Sequence, residues 1–468
     1  MDSDDDSVDG DTTYKRNVVM GVLIGDELGH LKRIDMAAKD KVLAIHSEPV
    51  DDIHHSKSVS SITCLHNNNN DNHCSDYLIA NKCHSLSIYN SVSNHLHRFR
   101  VGVNNESFLM GAQPIDDNNI VVCYENGSVF IRNIEKELIQ LSENKKKAIK
   151  LLGLDLISTT TSKPDDSVEK RKISKSVQCS NGKDVLTPKS TKPCTKPSKY
   201  VNTESSVITS CTPIFNPNYN TANTHLTSFK VNDHMLAIGG KNIDLKVFDL
   251  NTKQSIFNAK PLSNDWLGIK QETWISGVEW VGGNSKSNEC PSWVATCSRS
   301  DSVVRVYDIK SKQKKPVMNI NLKNETFNND SNPPSFTAIC STSVPHTIAK
   351  PTQNIILGTT IGRMMAVDLR FNTHSYRHLG VFKGFGGGAI RDVKYVGQTH
   401  NTFKVLSCSL DRFVRIHNFK TCPSSTRSLE SKIYIKTRPT CLQPICNTFK
   451  TNSLVMDIDD DIDDSDID

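Results

Sequence analysis

Short runs in which apolar and polar residues alternate follow one another along most of the chain, and the runs come in pairs. Each pair consists of an apolar segment, a turn of small and polar residues, and an alternating segment that ends in Asp or Asn. A period of two residues with many Val, Ile, Tyr and Phe is typical of β-strands. The pattern predicts seven hairpins, which end at Asp35, Asn90, Asn133, Asp249, Asp308, Asp368 and Asn418.

The spacing of these hairpins indicates an internal repeat. Successive end points lie 55, 43, 116, 59, 60 and 50 residues apart, and all but the third step are close to the length of one four-stranded propeller blade. Two further strand candidates accompany the hairpin, as AIRDVKYV (389–396) and KIYIKTR (432–438) do in the last unit. We therefore predict an all-β fold, a seven-bladed WD-repeat-type β-propeller.

The two ends of the repeat predict how the ring closes. The chain enters the repeat with the second strand of blade one, and a spare strand, TCLQPIC (440–446), follows the complete seventh blade. We expect this spare strand to supply the missing innermost strand of blade one, because a closed ring leaves no unpaired edge. Truncation after Lys436 should destabilise the whole ring, whereas truncation from Met456 should not.

The long third step predicts an insertion. Residues 142–218 are rich in Lys, Ser, Thr and Pro and too poor in apolar residues to pack against the ring. The predicted organisation is an acidic disordered tail (1–14), blades one to three (15–141), a disordered basic insertion (142–218), blades four to seven with the closing strand (219–448), and a second acidic disordered tail (449–468).

The charge of the chain is segregated. Residues 1–11 carry six aspartates and residues 456–468 carry eight, with no basic residue in either segment. Removing these fourteen aspartates from the 51 acidic residues leaves 37 against 56 basic ones, so the body has a net charge of +19. Such a body favours a polyanionic partner such as rRNA, DNA or an anionic membrane. The alternative is charge that serves only solubility.

Several classes of protein are disfavoured. The chain has no apolar run of about 18 residues and begins with an acidic segment, so we expect a soluble intracellular protein. Its fourteen cysteines are scattered without a CxxC pair, and we expect Cys123, Cys297 and Cys408 to be reduced and buried in strands. The pairs His73-Cys74 and Cys83-His84 flank a strand and would lie roughly 30 Å apart, too far for one zinc ion. We expect no metal and no cofactor.

The sequence does not carry a recognisable catalytic motif. Neither GxSxG nor HExxH occurs. The stretch GFGGG (384–388) lacks the GK(S/T) of a nucleotide-binding loop and leads into a strand, so we interpret it as a connection between blades. These observations favour a protein that is not an enzyme. The rival reading, an enzyme on a propeller scaffold, would require catalytic side chains that converge on the central channel.

Basic residues recur in equivalent turns of the predicted blades. Lys241, Arg299, Arg363 and Arg412 lie between the second and third strands, and propeller geometry places these turns on one face with the loops that hold Lys383 and Arg391. Together they would form a surface for phosphate contacts, because the Arg guanidinium is a planar and permanently charged donor. Scattered surface charge is the alternative. Asp301 and Asp411, in the same turns, are expected to stabilise them.

A second candidate site lies in SNDWLGI (263–269). Asn264, Asp265 and Trp266 combine an aromatic ring and a carboxylate in a polar loop, as contact sites for partners often do. In the alternative interpretation the loop is packed, with Trp266 filling a gap and Asp265 capping a turn.

Two longer blocks carry a family resemblance, although no WD dipeptide occurs at the hairpin ends. GGKNIDLKVFDLNTKQSIFNAKPLSNDWLGI (239–269) resembles a block of the form GGK…LK(V/I)WDL…AKN…NDWL. KGFGGGAIRDV (383–393) followed by SCSLDRFVRIH (407–417) resembles KG…GS(V/I)R…SCGLDR(Y/V)(L/V)R(I/V)H. Both blocks are similar to those of the WD repeat-containing protein 74 family, nucleolar factors in the assembly of the large ribosomal subunit.

The resemblance implies a non-enzymatic propeller scaffold, a monomer within a complex, in the nucleus and nucleolus. Its partners would be pre-60S ribosomal particles, rRNA and other assembly factors, without membrane contact, and the nuclear valosin-containing-like AAA ATPase would release it. The C-terminus MDIDDDIDDSDID departs from the Lys-rich tail of the family. The alternative function is a propeller that binds only protein, such as the substrate receptor of a ligase.

Overall fold

A computed structural model describes residues 15–35, 41–46, 57–65, 75–101, 107–139, 224–264, 266–281, 293–311, 313–322, 335–342, 354–369, 376–397, 403–419 and 428–450. The insertion 142–218, the acidic segment 1–14 and residues 451–468 of the second acidic segment lie outside these ranges, so their predicted disorder stays a prediction. The predicted start of that second segment at residue 449 is wrong by two residues, because Phe449 and Lys450 belong to the last strand of the chain. Seven antiparallel sheets follow one another and form the blades of a ring. The predicted seven-bladed β-propeller is confirmed.

The first three blades precede the insertion. Blade one contains β1 (Lys15–Asp26), β2 (Leu31–Asp35) and β3 (Lys41–His46). Blade two contains β4 (Val59–Cys64), β5 (Asp76–Asn81), β6 (Ser85–Asn90) and β7 (His95–Arg100). Blade three contains β8 (Leu109–Pro114), β9 (Asn119–Tyr124) and β10 (Val129–Asn133). In the described part of blade three, a helical segment at 135–139 follows where the fourth strand was expected.

The other four blades each have four strands. Blade four contains β11 (His225–Asn232), β12 (Met235–Lys241), β13 (Ile243–Asp249) and β14 (Gln254–Asn258). Blade five contains β15 (Ile275–Val281), β16 (Trp293–Ser298), β17 (Val303–Asp308) and β18 (Met318–Asn321). Blade six contains β19 (Phe336–Ser341), β20 (Asn354–Thr359), β21 (Met364–Asp368) and β22 (Arg377–Val381). Blade seven contains β23 (Ile390–Gly397), β24 (Phe403–Ser409), β25 (Phe413–Phe419) and β26 (Leu429–Tyr434). The hairpins predicted from the sequence are the second and third strands of the blades.

The last strand of the chain closes the ring. β27 (Pro439–Lys450) pairs with β1 from Asp26↔Pro439 to Lys15↔Lys450, and it takes the place of the first strand in blade one. The hydroxyl of Thr440 donates a hydrogen bond of 2.6 Å to the carbonyl of Val59 in blade two. The two ends of the propeller are therefore joined by backbone pairing within one blade, and no first strand is left without a neighbour there.

The apolar core lies mainly between neighbouring blades. Val306 and Ile320 of blade five pack with Phe336 and Leu357 of blade six in one buried cluster, and similar clusters join blades two and three and blades four and five. Because a blade is covered on both faces, its middle strands are buried almost throughout, which is why segments such as NIILGT in β20 read as continuous apolar runs.

The turns between the second and third strands share one backbone feature. Each contains a residue with positive φ, namely Gly29, His84, Gly127, Asn242, Ser302, Gly362 and Arg412. Backbone hydrogen bonds join these turns to the segments that lead into the first strands, as from the N–H of Arg299 to the carbonyl of Trp274 (2.8 Å). We call the surface formed by these turns and segments the turn face.

Candidate RNA- and partner-binding face

The basic residues predicted from the sequence lie on or beside the turn face. Arg299, Lys383, Arg391 and Arg412 are exposed, and Lys241 and Arg363 are half-buried. They form two groups, one at blades four and five and one at blades six and seven. Their role in binding stays a prediction.

The first group surrounds an indole ring. Trp274 lies just before β15, and the Lys241 ammonium and the Arg299 guanidinium stand 5.3 and 4.7 Å from the centroid of its ring. The N–H of Asn242 donates a bond of 2.7 Å to the carbonyl of Thr273, which joins the turn of blade four to the entry of blade five. Both cations gain cation–π attraction while they remain available to solvent.

An exposed apolar loop leads into this group. Trp266 is 89% exposed, and Leu267 and Ile269 are 59% and 60% exposed. The packed interpretation of Trp266 is therefore wrong. Asn264 is exposed as well, whereas Asp265 lies outside the described residues. We call residues 266–269 the WLGI loop.

The second group is built on the glycine-rich connection between blades six and seven. Four contacts hold its first residues to β25. The carbonyl of Lys383 accepts a bond of 2.8 Å from Nε2 of His417, and the carbonyl of Gly384 accepts one of 2.9 Å from Nε of Arg415. The ring of Phe385 stacks on that guanidinium at 4.6 Å and on the His417 ring at 5.4 Å. KGFGGG and DRFVRIH, far apart in sequence, therefore form one unit. We call residues 383–388 the glycine loop.

The tip of the glycine loop is wedged between two turns. A Cβ on Gly362, in the turn of blade six, would lie 2.5 Å from the carbonyl oxygen of Gly388. A Cβ on Gly388 would lie 2.9 Å from the backbone nitrogen of Asp411, in the turn of blade seven. Only glycine permits these approaches, and they bring Arg363 and Arg412 to the two sides of the loop.

Two acidic residues of the turns are neutralised by arginines from inside the blades. Asp411 forms an ion pair with Arg415, whose side chain is fully buried, and Asp301 forms the equivalent pair with Arg305. Asp411 also accepts a bond of 3.2 Å from the N–H of Phe413, so its predicted role in the turn is confirmed. These two carboxylates are therefore engaged and do not offset the outer cations beside them.

Blade one repeats this arrangement with other side chains. Asp26 is fully buried and contacts Nδ1 of His30 at 2.9 Å and Nζ of Lys32 at 3.5 Å. Neither these partners of Asp26 nor Arg305 and Arg415 were singled out from the sequence. The available signal was the spacing Asp-x-x-x-Arg, which recurs in DSVVR (301–305) and DRFVR (411–415).

His417 is neutral in the folded protein. Burial lowers the pKa of its imidazole to about 4, although the bond to the Lys383 carbonyl opposes the shift and the nearby Arg415 adds to it. Because Nε2 donates to that carbonyl, a proton would have to enter at Nδ1, which is buried without a partner. A charged imidazolium there would be both desolvated and unpaired.

Arg391 occupies an exceptional place in the channel wall. In five of the other six first strands the equivalent residue is Ser or Thr, and in β8 it is Met110. Some of these hydroxyls bond the backbone of the next blade, as from Ser276 to the Phe336 carbonyl (2.7 Å) and from Thr337 to the Ile390 carbonyl (2.6 Å). Arg391 is exposed instead. A cation therefore stands at the end of the channel nearest the turn face.

Charged side chains farther along the first strands are paired. Lys230 and Glu279 lie 2.9 Å apart, and Lys394 and Asp392 lie 3.7 Å apart. Asp392 raises the pKa of Lys394 above its ordinary value, so this ammonium stays charged. In the part of the chain that the structure describes, no group of three or more His, Cys, Asp and Glu could hold a metal ion.

The cysteines expected in strands are buried. Cys123, Cys297 and Cys408 are free and inaccessible, and burial raises the pKa of the Cys297 thiol to about 12. A thiol with so high a pKa is a poor nucleophile at neutral pH. Within the described ranges, no helix is long and apolar enough to cross a bilayer.

Comparisons with known proteins agree with this architecture. The chain is 32% identical to human WD repeat-containing protein 74 over 211 residues, and 31% identical to its bovine counterpart over the same length. A WD repeat-containing protein of Dictyostelium discoideum is 23% identical over 223 residues. No family model matches the chain. Among solved structures, the computationally designed Ika8 protein is 9% identical with a TM-score of 0.41, covering 84% of this chain and 96% of its own.

The extent of the match limits what it supports. The alignment to the human protein covers 45% of each sequence, so the chain spans about half the length of the curated relatives it matches. The sequence similarity to WD-repeat proteins and the seven blades of the structure point to the same fold. The chain is thus a WD-repeat propeller, and its resemblance to the WD repeat-containing protein 74 family is confirmed.

Proposed function

We propose that this propeller is a non-enzymatic assembly factor for the large ribosomal subunit. It acts in the nucleolus, where its turn face holds phosphates of pre-rRNA and neighbouring loops bind other assembly factors of the pre-60S particle. The nuclear valosin-containing-like AAA ATPase then releases it. The resemblance to the WD repeat-containing protein 74 family suggests this setting.

One observation supports RNA binding most directly, namely that cations of the turn face are exposed beside carboxylates that are already paired. Asp301 and Asp411 are engaged by buried arginines, whereas Arg299, Lys383 and Arg412 are exposed. An array of exposed cations on one rigid face releases counterions when it meets the phosphates of RNA, and this release drives association.

A second observation favours protein partners for the WLGI loop. Trp266, Leu267 and Ile269 are all more than half exposed, and two of these three side chains are aliphatic. Bases stack on aromatic rings, whereas aliphatic anchors are typical of contacts between proteins. The indole of Trp274 is already covered by Lys241 and Arg299. This loop therefore fits an assembly factor better than it fits RNA.

RNA binding is tested with the purified full chain and a labelled single-stranded RNA in a salt titration. We expect the logarithm of the affinity to fall linearly with the logarithm of the salt concentration, by about 0.7 for each phosphate contacted. Lys383→Gln combined with Arg412→Gln should weaken binding at least about tenfold and reduce the slope by about one to two.

The matched control changes the same charge elsewhere. Lys314→Gln combined with Lys315→Gln alters two exposed lysines in the connection between β17 and β18 and should leave affinity and slope near those of the wild type. Equal effects of the two double variants would mean that only net charge matters. Absence of RNA binding at low salt would favour the propeller that binds only protein.

The ribosomal setting is tested by sedimentation of a nuclear extract from the native organism. Co-migration with precursors of the large subunit at moderate salt is expected. Trp266→Ser combined with Leu267→Ser should remove a protein partner from affinity-purified complexes while RNA affinity stays unchanged. Ile256→Ser, at a half-exposed position in β14, is the matched control. A protein that stays at the top of the gradient at every salt concentration contradicts the assembly role.

A further inference from the structure

The glycine loop contains a glycine that the fold does not require. Gly384, Gly387 and Gly388 have φ angles of +92°, +127° and +85°, which favour glycine. Gly386 is not among the residues with positive φ, and a Cβ there would meet nothing within 4 Å. Neither backbone conformation nor packing within the described chain calls for glycine at this position. Because Gly386 has no side chain, the space beside its backbone is open.

Carbonyl groups and N–H groups of the glycine loop differ in their hydrogen bonding. The carbonyls of Gly384 and Gly388 accept bonds from Arg415 and from the hydroxyl of Ser409, at 2.9 Å each. Among the described residues, no hydrogen bond has the N–H of Gly386 or Gly387 as its donor. Three carbonyls of the loop, those of Lys383, Gly384 and Gly388, are thus engaged by blade seven, and the N–H groups of Gly386 and Gly387 are available, as in backbone sites that bind anions.

Cations surround these donors. Lys383 begins the loop, Arg391 follows it, and the turns that carry Arg363 and Arg412 touch its tip. Arg412 has a φ of +69° at a position where blades one, three and six have glycine. A side chain other than glycine pays a conformational cost there, and backbone strain of this kind is concentrated at functional sites.

The glycine loop is also held in one conformation before any ligand binds. Its base is held by His417 and Arg415, and its tip is wedged between Gly362 and Asp411. A ligand that binds there does not have to order the backbone, so less binding free energy is lost.

We infer that the glycine loop is a cradle for the phosphodiester backbone of an RNA strand. The N–H groups of Gly386 and Gly387 contact a phosphate at close range, and Lys383, Arg363, Arg391 and Arg412 neutralise it and its neighbours. This inference rests on the proposed RNA binding and adds to it one place on the turn face where the strand approaches the protein backbone.

The test uses the full chain with Gly386→Leu, measured by anisotropy with a labelled single-stranded RNA. The substitution keeps every charge, and the backbone at this position accepts a side chain. We expect RNA affinity to fall about tenfold or more because the leucine occupies the phosphate position, while the melting temperature stays within one or two degrees of the wild type. Val92→Leu, in an exposed turn of blade two between β6 and β7, introduces the same side chain away from the glycine loop and should leave affinity unchanged.

The outcomes separate the two proposals. If wild type binds RNA and Gly386→Leu binds equally well, the cradle is wrong and the proposed function stands. If wild type does not bind RNA at low salt, the proposed RNA binding fails, and the cradle fails with it. If inorganic phosphate competes with RNA in the wild type but not in Gly386→Leu, the contact is with phosphate. Loss of affinity with a melting temperature lowered by several degrees would instead indicate a distorted loop, which the cradle does not allow.

Discussion

Blades five and seven carry the same motif in the same turn and use it differently. In blade seven Arg415 is fully buried, bonds both oxygens of Asp411, and directs Nε to the Gly384 carbonyl at 2.9 Å. In blade five Arg305 pairs with Asp301, but its Nε and Oδ1 of Asp301 are buried without a partner. A buried donor that lacks a partner costs free energy. The difference is the preceding loop, which folds onto the arginine only in blade seven.

This difference assigns different uses to the two loops. The glycine loop is fixed on its blade and rigid, which suits contacts with a repeating phosphate backbone. The WLGI loop keeps Trp266 89% exposed and suits a partner that supplies the missing packing. The comparison teaches that one structural motif can either anchor a connection or leave it free, according to whether a carbonyl reaches the arginine.

The largest expected effect is a difference in stability between variants of Arg415 and Arg305. Arg415→Met should lower the free energy of unfolding by about 3 to 5 kcal/mol, because it leaves a largely buried carboxylate unpaired. Arg305→Met should cost only about 1 to 2 kcal/mol, since Asp301 is more exposed and the pair is incompletely bonded. Denaturant unfolding of both variants measures the difference. Equal losses would contradict the contrast between the blades.

A pH titration should distinguish the same two blades. The pKa of His417 is lowered to about 4 in the folded protein, so between pH 6.5 and 4 the unfolded state binds the proton more readily. The free energy of unfolding should therefore fall as the pH drops through this window, by up to about 3 kcal/mol. Burial raises the pKa of Tyr307, its counterpart in blade five, to about 12, so this residue does not titrate there.

The control for this titration is His417→Gln, whose amide can still donate to the Lys383 carbonyl. Subtracting its pH profile from that of the wild type removes the contributions of other histidines. A difference that stays constant between pH 6.5 and 4 would show that His417 does not titrate as described.

Aromatic residues of the two loops should differ in their effect on stability. Phe385→Ala removes the ring that stacks on Arg415 and His417 and should lower the melting temperature, with a loss of about 1 to 3 kcal/mol. Trp266→Ser should change the free energy of unfolding by less than about 0.5 kcal/mol, because the side chain is exposed. Calorimetry of the two variants checks this order, and a reversed order would refute it.

The smallest expected effect is a gain in stability. Arg412→Gly should relieve the strain of positive φ and stabilise the protein by up to about 1 kcal/mol, while RNA affinity falls. Ser302→Gly, at the equivalent turn position of blade five, should stabilise the protein without changing RNA affinity. A thermal shift assay and RNA titration of both variants measure the two effects. Unchanged affinity in Arg412→Gly would remove Arg412 from the proposed site.

Strand order and blade number could be predicted from the sequence because each blade repeats a local pattern. The segments that end at Asp308 and Asn418 both showed the alternation that reappears as β16–β17 and β24–β25. The basic residues of the turns could be placed on one face for the same reason, since a repeated turn returns to the same end of each blade.

The pairing of loops with blades could not be predicted in this way. Whether a carbonyl of Gly384 would meet Arg415, or Trp266 would find a pocket, depends on contacts between residues that lie 31 or more positions apart. The alternation of apolar and polar residues does not predict these contacts. For this reason the sequence left two interpretations of Trp266 open, and it did not indicate that Arg415 and His417 were buried.

By itself, the sequence determined that this protein is a propeller with a basic body, because local periodicity and composition set the strands, their number and the net charge. Only the tertiary structure decided which charges stay uncompensated on the turn face and which loop is rigid. Both depend on desolvation and hydrogen-bond geometry around the buried Arg415 and His417 and the partly buried Asp411. These contacts form only when the blades have packed around the side chains.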